Sequence, residues 1–354
     1  MLLSVVIVCC VFGIVVIASA VHSFENSERY ILMQSAAFVI GLLCMFIVAA
    51  IDYEYYGAFA KLIYVLCIGL LVLVLFFGIG LESTGSKSWI RFGPIGFQPS
   101  EFVKIGFIIT FAKHLSQTEN VNKPKSLLFL LLHAAPIIAL VLLEPDFGTA
   151  MVFLCIFAGM LLVAGLSWKY ILSAFVLIGA SIPVVWHFLA DYQKNRILVF
   201  FNPESDPFGA GYHVIQSKIA IGSGQIFGKG LFKGTQTQLE YLPVKHTDFI
   251  FAVIGEELGL IGCILVVGLL LTLVVRCIYV SGTARNTFGS YICIGVAFLF
   301  MAHIFENIGM CIGLMPVTGI PLPFFSAAGT SLVANLIAIG LVLNVYMRRR
   351  TRGF

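Results

Sequence analysis

Ten apolar stretches of about 17 residues or more recur along this chain, near 2–20, 31–51, 58–80, 100–115, 126–143, 147–164, 170–190, 249–275, 287–315 and 328–347. A helix rises about 1.5 Å per residue, so such a stretch is long enough to cross a hydrocarbon layer of about 30 Å. Within that layer a helix satisfies every backbone polar group internally. The chain is 60% hydrophobic and 11% charged, whereas a soluble domain is about a quarter charged. Lipid, not a water-soluble core, is the solvent these residues require. The expected fold is an all-α integral membrane protein of about ten transmembrane helices, one polytopic domain over residues 1–354.

The first stretch has neither a basic leading segment nor a clear small-residue cleavage site, so it reads as a retained helix. Basic residues orient the bundle. With both termini cytoplasmic, the inner loops and ends hold Lys61, Lys113, Lys123, Lys125, Lys169, Arg276, Arg285, Arg348, Arg349, Arg350 and Arg352. The short outer loops then hold only Arg29, Lys87 and Arg91, as the positive-inside rule prefers. The expected location is the cytoplasmic membrane, with a long extracytoplasmic loop at 191–247 between spans seven and eight. A net charge of +4 implies no nucleic-acid partner. The nine cysteines fall in apolar stretches without CxxC spacing and read as packing residues.

Charge at membrane depth costs a few kcal/mol and should face protein or a wet cavity. In KSWIRFGPIGFQPSEFVK, Ser100 is the candidate N-cap, and Glu101 and Lys104 share a helix face three residues apart. They read equally as a self-neutralising structural pair and as a cavity wall. Trp89 reads first as an interfacial belt residue, and Arg91 sits beside it. In LLEPDFGTA, Glu144 and Asp146 flank a tight turn; they can bind a divalent cation, or Asp146 can cap the next helix. The segment around YHVIQSKIAIGSGQIFGKG fails both the P-loop and the dinucleotide fingerprints and reads as a flexible, basic, Gly-rich loop on the membrane surface. In LPVKHTDFIFAVIGEELG, Thr247 or Asp248 is expected to cap the eighth span. Capping leaves Lys245, His246, Glu256 and Glu257 unexplained. A polar cavity opening outward accounts for them.

These segments, with EPDFGTA and NIGMCIGLMPVTGIPLPFFSAAGTSL, stand in the order and separation of the SEDS family (shape, elongation, division and sporulation), and the chain closely resembles that family over nearly its whole length. PVTGIPLPF is similar to the RodA branch. His213 stands where the family usually has Gln, Ala327 to Ser331 replace a Tyr-Gly-Gly-Ser-Ser pattern, and Glu306 stands where an apolar residue is usual. The resemblance implies a peptidoglycan glycosyltransferase that polymerises lipid II at the outer membrane face, with a class B penicillin-binding protein and other elongation-complex membrane proteins as partners.

In that chemistry a carboxylate deprotonates the acceptor hydroxyl while pyrophosphate leaves. Asp248 matches the family's essential aspartate and is the expected general base. Lys104, Arg91, Arg196, Lys218, Lys229 and Lys245 are candidates to neutralise the phosphates. Trp89, Glu101, Glu144, Asp146, Gln216, His246 and Thr247 complete the expected substrate site. No protein-held metal is assigned, and a divalent cation (magnesium or manganese) stays open as a cofactor. A lipid II flippase is the alternative, because prolines at 136, 183, 316, 321 and 323 could break helices as transporters do. A non-catalytic scaffold is the third reading.

Overall fold

The computed structural model describes residues 1–80, 86–92, 95–188, 194, 198–206 and 209–349. Its helices are α1 (Leu2–Ala20), α2 (Ser27–Ala50), α3 (Tyr53–Ala58), α4 (Ala60–Phe77), α5 (Pro99–Gln117), α6 (Pro124–Leu143), α7 (Phe147–Val163), α8 (Trp168–Phe188), α9 (Ala210–Gly224), α10 (Thr235–Gln238), α11 (Ile250–Thr283), α12 (Thr287–Cys311) and α13 (Gly329–Met347). Each apolar stretch of the sequence falls on one of α1, α2, α4 to α8 and α11 to α13. Among the described residues, seven helices (α1, α2, α4, α6, α11, α12 and α13) are long and apolar enough to cross a membrane. The chain is therefore a multi-pass, essentially all-α membrane protein.

One small element departs from that class. Strands β1 (Ile90–Phe92) and β2 (Ile95–Phe97) pair antiparallel with Ile90 opposite Phe97, and Trp89 bridges to Ile79. Their sequence alternates too briefly to announce strands.

Helix α12 occupies the centre, with 72% of its most apolar 18-residue window buried, against 17% for the peripheral α4. It packs on α5, α7 and α11, while α2 lies along α13. Without a hydrophobic drive between helices in lipid, close approach through small residues does the work. Gly340 of α13 sits against the backbone of Met45, where a Cβ would come within 2.7 Å of the Met45 carbonyl oxygen. All nine cysteines are free thiols, in keeping with a packing role.

Helix starts differ from expectation at two places. Helix α5 starts at Pro99, with Gln98 in the N-cap position but making no side-chain capping bond, so Ser100 lies inside the helix and does not cap it. Helix α11 begins after Phe249 without any side-chain cap, so neither Thr247 nor Asp248 caps it. Instead the Val244 carbonyl accepts from the amides of Thr247, Asp248 and Phe249. That turn, with Val244 at φ +49°, leaves the Asp248 carboxylate free of helix duty. Asp146 does cap α7, accepting from the Thr149 amide at 3.0 Å.

The Gly-rich segment is not a free loop. Gly259 interrupts α11 with φ +66°, and the exposed amides of Leu260 and Ile261 donate to Gln225 O and Ile226 O. In return Lys229 N and Gly230 N donate to Glu256 O and Glu257 O. Gly228 must lack a side chain, because a Cβ there would collide with the Glu257 backbone.

Glu256 is fully buried and accepts from Lys229 Nζ (2.8 Å), Gln236 N (2.8 Å) and Thr237 N (2.9 Å), while Glu257 accepts from Ser19 Oγ (2.5 Å). These two glutamates thus fasten the 225–240 segment to α11 and α1 rather than facing a cavity. Glu256→Ala is expected to cost on the order of 3 kcal/mol, because it strands a lysine and two amides. Limited proteolysis should then cut between 229 and 245, where wild type resists.

Candidate active site

A cavity of about 1330 Å³ opens at the end of the bundle where α2, α5, α7, α11 and α13 begin. Its wall is assembled from segments far apart in sequence. The hairpin brings Trp89 and Arg91, α5 brings Glu101, α7 brings Asp146, the turn before α11 brings His246, Thr247 and Asp248, and a Pro-rich strap brings 317–321.

Asp248 is held by its backbone. The carbonyls of His246 and Thr247 accept from Ala327 N (2.8 Å) and Ser326 Oγ (2.6 Å). Gly319, at φ +74°, passes so close that a Cβ would lie 3.5 Å from Asp248 Oδ2. The carboxylate opens to the cavity, yet surrounding protein desolvates it and pushes its pKa up to about 6, against a lowering bond from Thr247. A group with that value is ionised at neutral pH and still basic enough to take a proton.

The expected neighbours of Asp248 divide. His246 lines the cavity, its ring edge-on to Phe24 and Tyr30 at 5.5 and 5.0 Å, and burial and then Lys245 lower its pKa. Lys245 turns away from the cavity. Its ammonium donates to Thr237 O (2.6 Å) and Ser23 Oγ (2.8 Å) and lies 4.8 Å above the Phe24 ring. Its pKa is lowered by burial.

Beneath the cavity floor runs a buried polar ladder. Lys104 Nζ donates to Glu101 Oε1 at 2.8 Å and meets His303 Nε2 at 2.8 Å, and His303 Nδ1 reaches Pro321 O at 3.2 Å. Glu101 shows on the cavity wall, whereas Lys104 stays inside the protein at 1% exposure. Glu306 lies on the same level, beside Thr318 and Asp146.

Asp146 reaches the cavity, but both its oxygens are engaged by Thr149. Burial raises its pKa. Glu144 is 1% exposed and off the cavity wall, and burial, with Asp146 adding, pushes its pKa up to about 8. The two therefore do not present a pair of open carboxylates. Trp89 packs over Gly96 on the wall, 3.2 Å from where a Cβ would stand.

The remaining candidates lie elsewhere. Lys229 is paired with Glu256, Lys218 is exposed against Gly313, and Gln216 lies off the cavity wall. Arg196 lies outside the described residues. Sequence reasoning missed Arg29, Lys87 and Gln98, which line the cavity, and used Arg29 and Lys87 only to orient the bundle. The signal was their place in short outer loops beside Trp89 and Arg91. His213 also lines the cavity, stacked 6.0 Å from Phe249. Ala327 meets the Asp248 turn through its backbone amide, which donates to His246 O.

Taken together these features define a polytopic helical membrane protein with a polar cavity at one end, lined by both carboxylates and cations. The chain belongs to the SEDS family of RodA, FtsW and SpoVE proteins, whose model, described as a cell cycle protein, matches residues 1–351. It is 41% identical over 313 residues to the peptidoglycan glycosyltransferase MrdB of Escherichia coli K12, covering 88% of this chain and 84% of that protein. It is 38% identical over 341 residues to the stage V sporulation protein E of Bacillus subtilis, covering 93% and 90%.

The crystal structure of the rod shape-determining protein RodA of Thermus thermophilus superimposes with a TM-score of 0.74 at 27% identity, over 99% of this chain and 97% of that one. A chain of a peptidoglycan synthase complex, solved to show the coordination of polymerization and crosslinking, superimposes with a TM-score of 0.85 at 29% identity, over 98% and 96%.

Proposed function

We propose that this chain is a peptidoglycan glycosyltransferase that polymerises lipid II at the outer face of the cytoplasmic membrane, serving elongation and cell shape. The observation that carries the reading is Asp248, a carboxylate released from helix capping, held by its backbone and raised toward neutrality at the cavity. The family and the glycosyltransferase named among its relatives supply the reaction.

In the reaction the acceptor hydroxyl gives its proton to Asp248 as its oxygen attacks the anomeric carbon. The bond from that carbon to the phosphate oxygen breaks, undecaprenyl pyrophosphate leaves with the electron pair, and the configuration inverts. No second carboxylic acid is needed for so good a leaving group, unlike in a glycosidase. Arg29, Lys87 and Arg91 on the cavity wall are placed to neutralise the departing phosphates. Lys104, sealed beneath the floor, acts instead on Glu101.

Ten spans with both termini cytoplasmic put the cavity outside, at the end opposite Lys113, Lys123, Arg285 and Arg348. A class B penicillin-binding protein is the proposed partner, by analogy with the polymerising and crosslinking complex. Against the flippase alternative, Phe107, Phe111 and Phe153 pack between the Lys104 level and the His114–His133 pair further along α5 and α6.

Polymerisation of labelled lipid II by purified protein, alone and with the class B partner, tests the proposal. Long glycan supports it. An inert wild type that moves lipid II across liposomes would favour the flippase.

A further inference from the structure

Two buried side chains that do not line the cavity end on the backbone of the Asp248 segment. Asn307, on the central helix α12, is fully buried, and its Nδ2 donates to both Asp248 O and Ile320 O at 2.8 Å. Both hydrogens of that amide are thereby used. Ser326 is 3% exposed; its Oγ donates to Thr247 O at 2.6 Å and accepts from Leu322 N at 2.8 Å. Ser326 thus ties the Thr247–Asp248 peptide, and Asn307 the Asp248–Phe249 peptide, to the strap that carries Gly319.

The ties matter because the segment's own element holds only its amides, on the Val244 carbonyl, and leaves the Thr247 and Asp248 carbonyls to donors from elsewhere. Asp248 lies outside the helix, has no capping bond, and follows a turn strained at Val244, φ +49°. Its carboxylate faces Gly319 of the same strap, so the strap sets the wall against which the base works. His303 anchors the strap one turn away, through Pro321 O. Buried donors spent on two carbonyls from separate segments hold a distance that neither segment can hold alone.

We propose that Asn307 and Ser326 are positioning residues for glycosyl transfer, holding the Asp248 carboxylate at a fixed place relative to the strap and hence to the acceptor hydroxyl. The proposal rests on Asp248 being the base. A misplacement of about 1 Å can cost on the order of 100-fold in rate without weakening substrate binding.

The test uses the full chain with its class B partner and labelled lipid II. Asn307→Ala, Asn307→Asp and Ser326→Ala are compared with wild type for turnover at saturation, KM, pH profile and thermal midpoint. The expected result for Asn307→Ala is a fall in turnover of about 100-fold with KM changed no more than about threefold. Ser326→Ala, which removes one tie of the two, is expected to lose about tenfold and to keep its midpoint close to wild type. The acidic limb of the pH profile should shift in both, because the carboxylate moves relative to the protein that desolvates it; a role in stability alone would leave that limb in place.

Folded variants that turn over at the wild-type rate would overturn the proposal. If Asn307→Ala and Asn307→Asp fail to fold, Ser326→Ala alone decides, wild-type turnover again overturning it. An active Asp248→Asn in the same experiment would sink the base assignment and this proposal with it, an outcome distinct from intact Asp248 dependence with inert ties.

Discussion

Asp248→Asn is expected to slow glycan polymerisation by orders of magnitude while leaving a folded protein. The substitution keeps size and the segment's backbone bonds to Ala327, Ser326 and Asn307 but removes the proposed base. General-base catalysis contributes about 10²–10⁴-fold. Turnover should fall by that factor, with KM for lipid II little changed. In wild type the rate should drop as pH falls through about 6, where Asp248 takes up a proton.

Stability should move the opposite way. Because the folded pKa lies above the usual value, the folded state binds the proton more tightly than the unfolded chain. The Asp248 contribution is therefore favourable below the unfolded value and is lost as pH rises through about 6. Asp248→Asn, which cannot ionise, should raise the thermal midpoint at pH 7.5 and match wild type near pH 4, about the unfolded carboxyl value. A variant that polymerises at the wild-type rate would return Asp248 to a structural role.

Lys104→Met is expected to be the most damaging single change to folding. Lys104 and Glu101 are 1% and 2% exposed and joined at 2.8 Å. Removing the ammonium leaves Glu101 with no cation in contact, and breaking a buried pair from one side costs about 3–5 kcal/mol. That is a large part of the 5–15 kcal/mol typical of a folded domain. Detergent-solubilised protein should show a lower melting midpoint and poor yield.

The double variant Glu101→Gln with Lys104→Met removes both charges and should recover most of the lost stability, since a neutral replacement of a buried pair is often nearly neutral in cost. If the double variant folds and still fails to polymerise, Glu101 contributes to the cavity beyond its pairing. If Lys104→Met is as stable as wild type, the ladder through His303 is not what holds α5 to α12.

Several of these elements are legible in the sequence. The apolar stretches and their separation fix the helices, because in lipid a long apolar run has no other way to satisfy its backbone. The charges of Glu101, Lys104 and Asp248 flag themselves by cost, since an ionisable group near the membrane needs a stated reason. The Asp146 cap follows from local chemistry, three residues from the amide it serves.

What the sequence alone could not decide is where each charge points. Glu256, Lys229 and Lys245 look like cavity residues by proximity to Asp248, yet the docking of the 225–249 segment onto the Gly259 break turns all three into its fastenings. Arg29 and Lys87 look like topology markers, yet the packing of α2 and the hairpin brings them to the cavity. Asn307 lies 59 positions from Asp248, and nothing local in its helix foretells the two carbonyls it holds. Local pattern determines the helices and the presence of expensive charge. Only the tertiary fold, by closing long loops against the central helix, determines which charges are spent on structure and which are left to act.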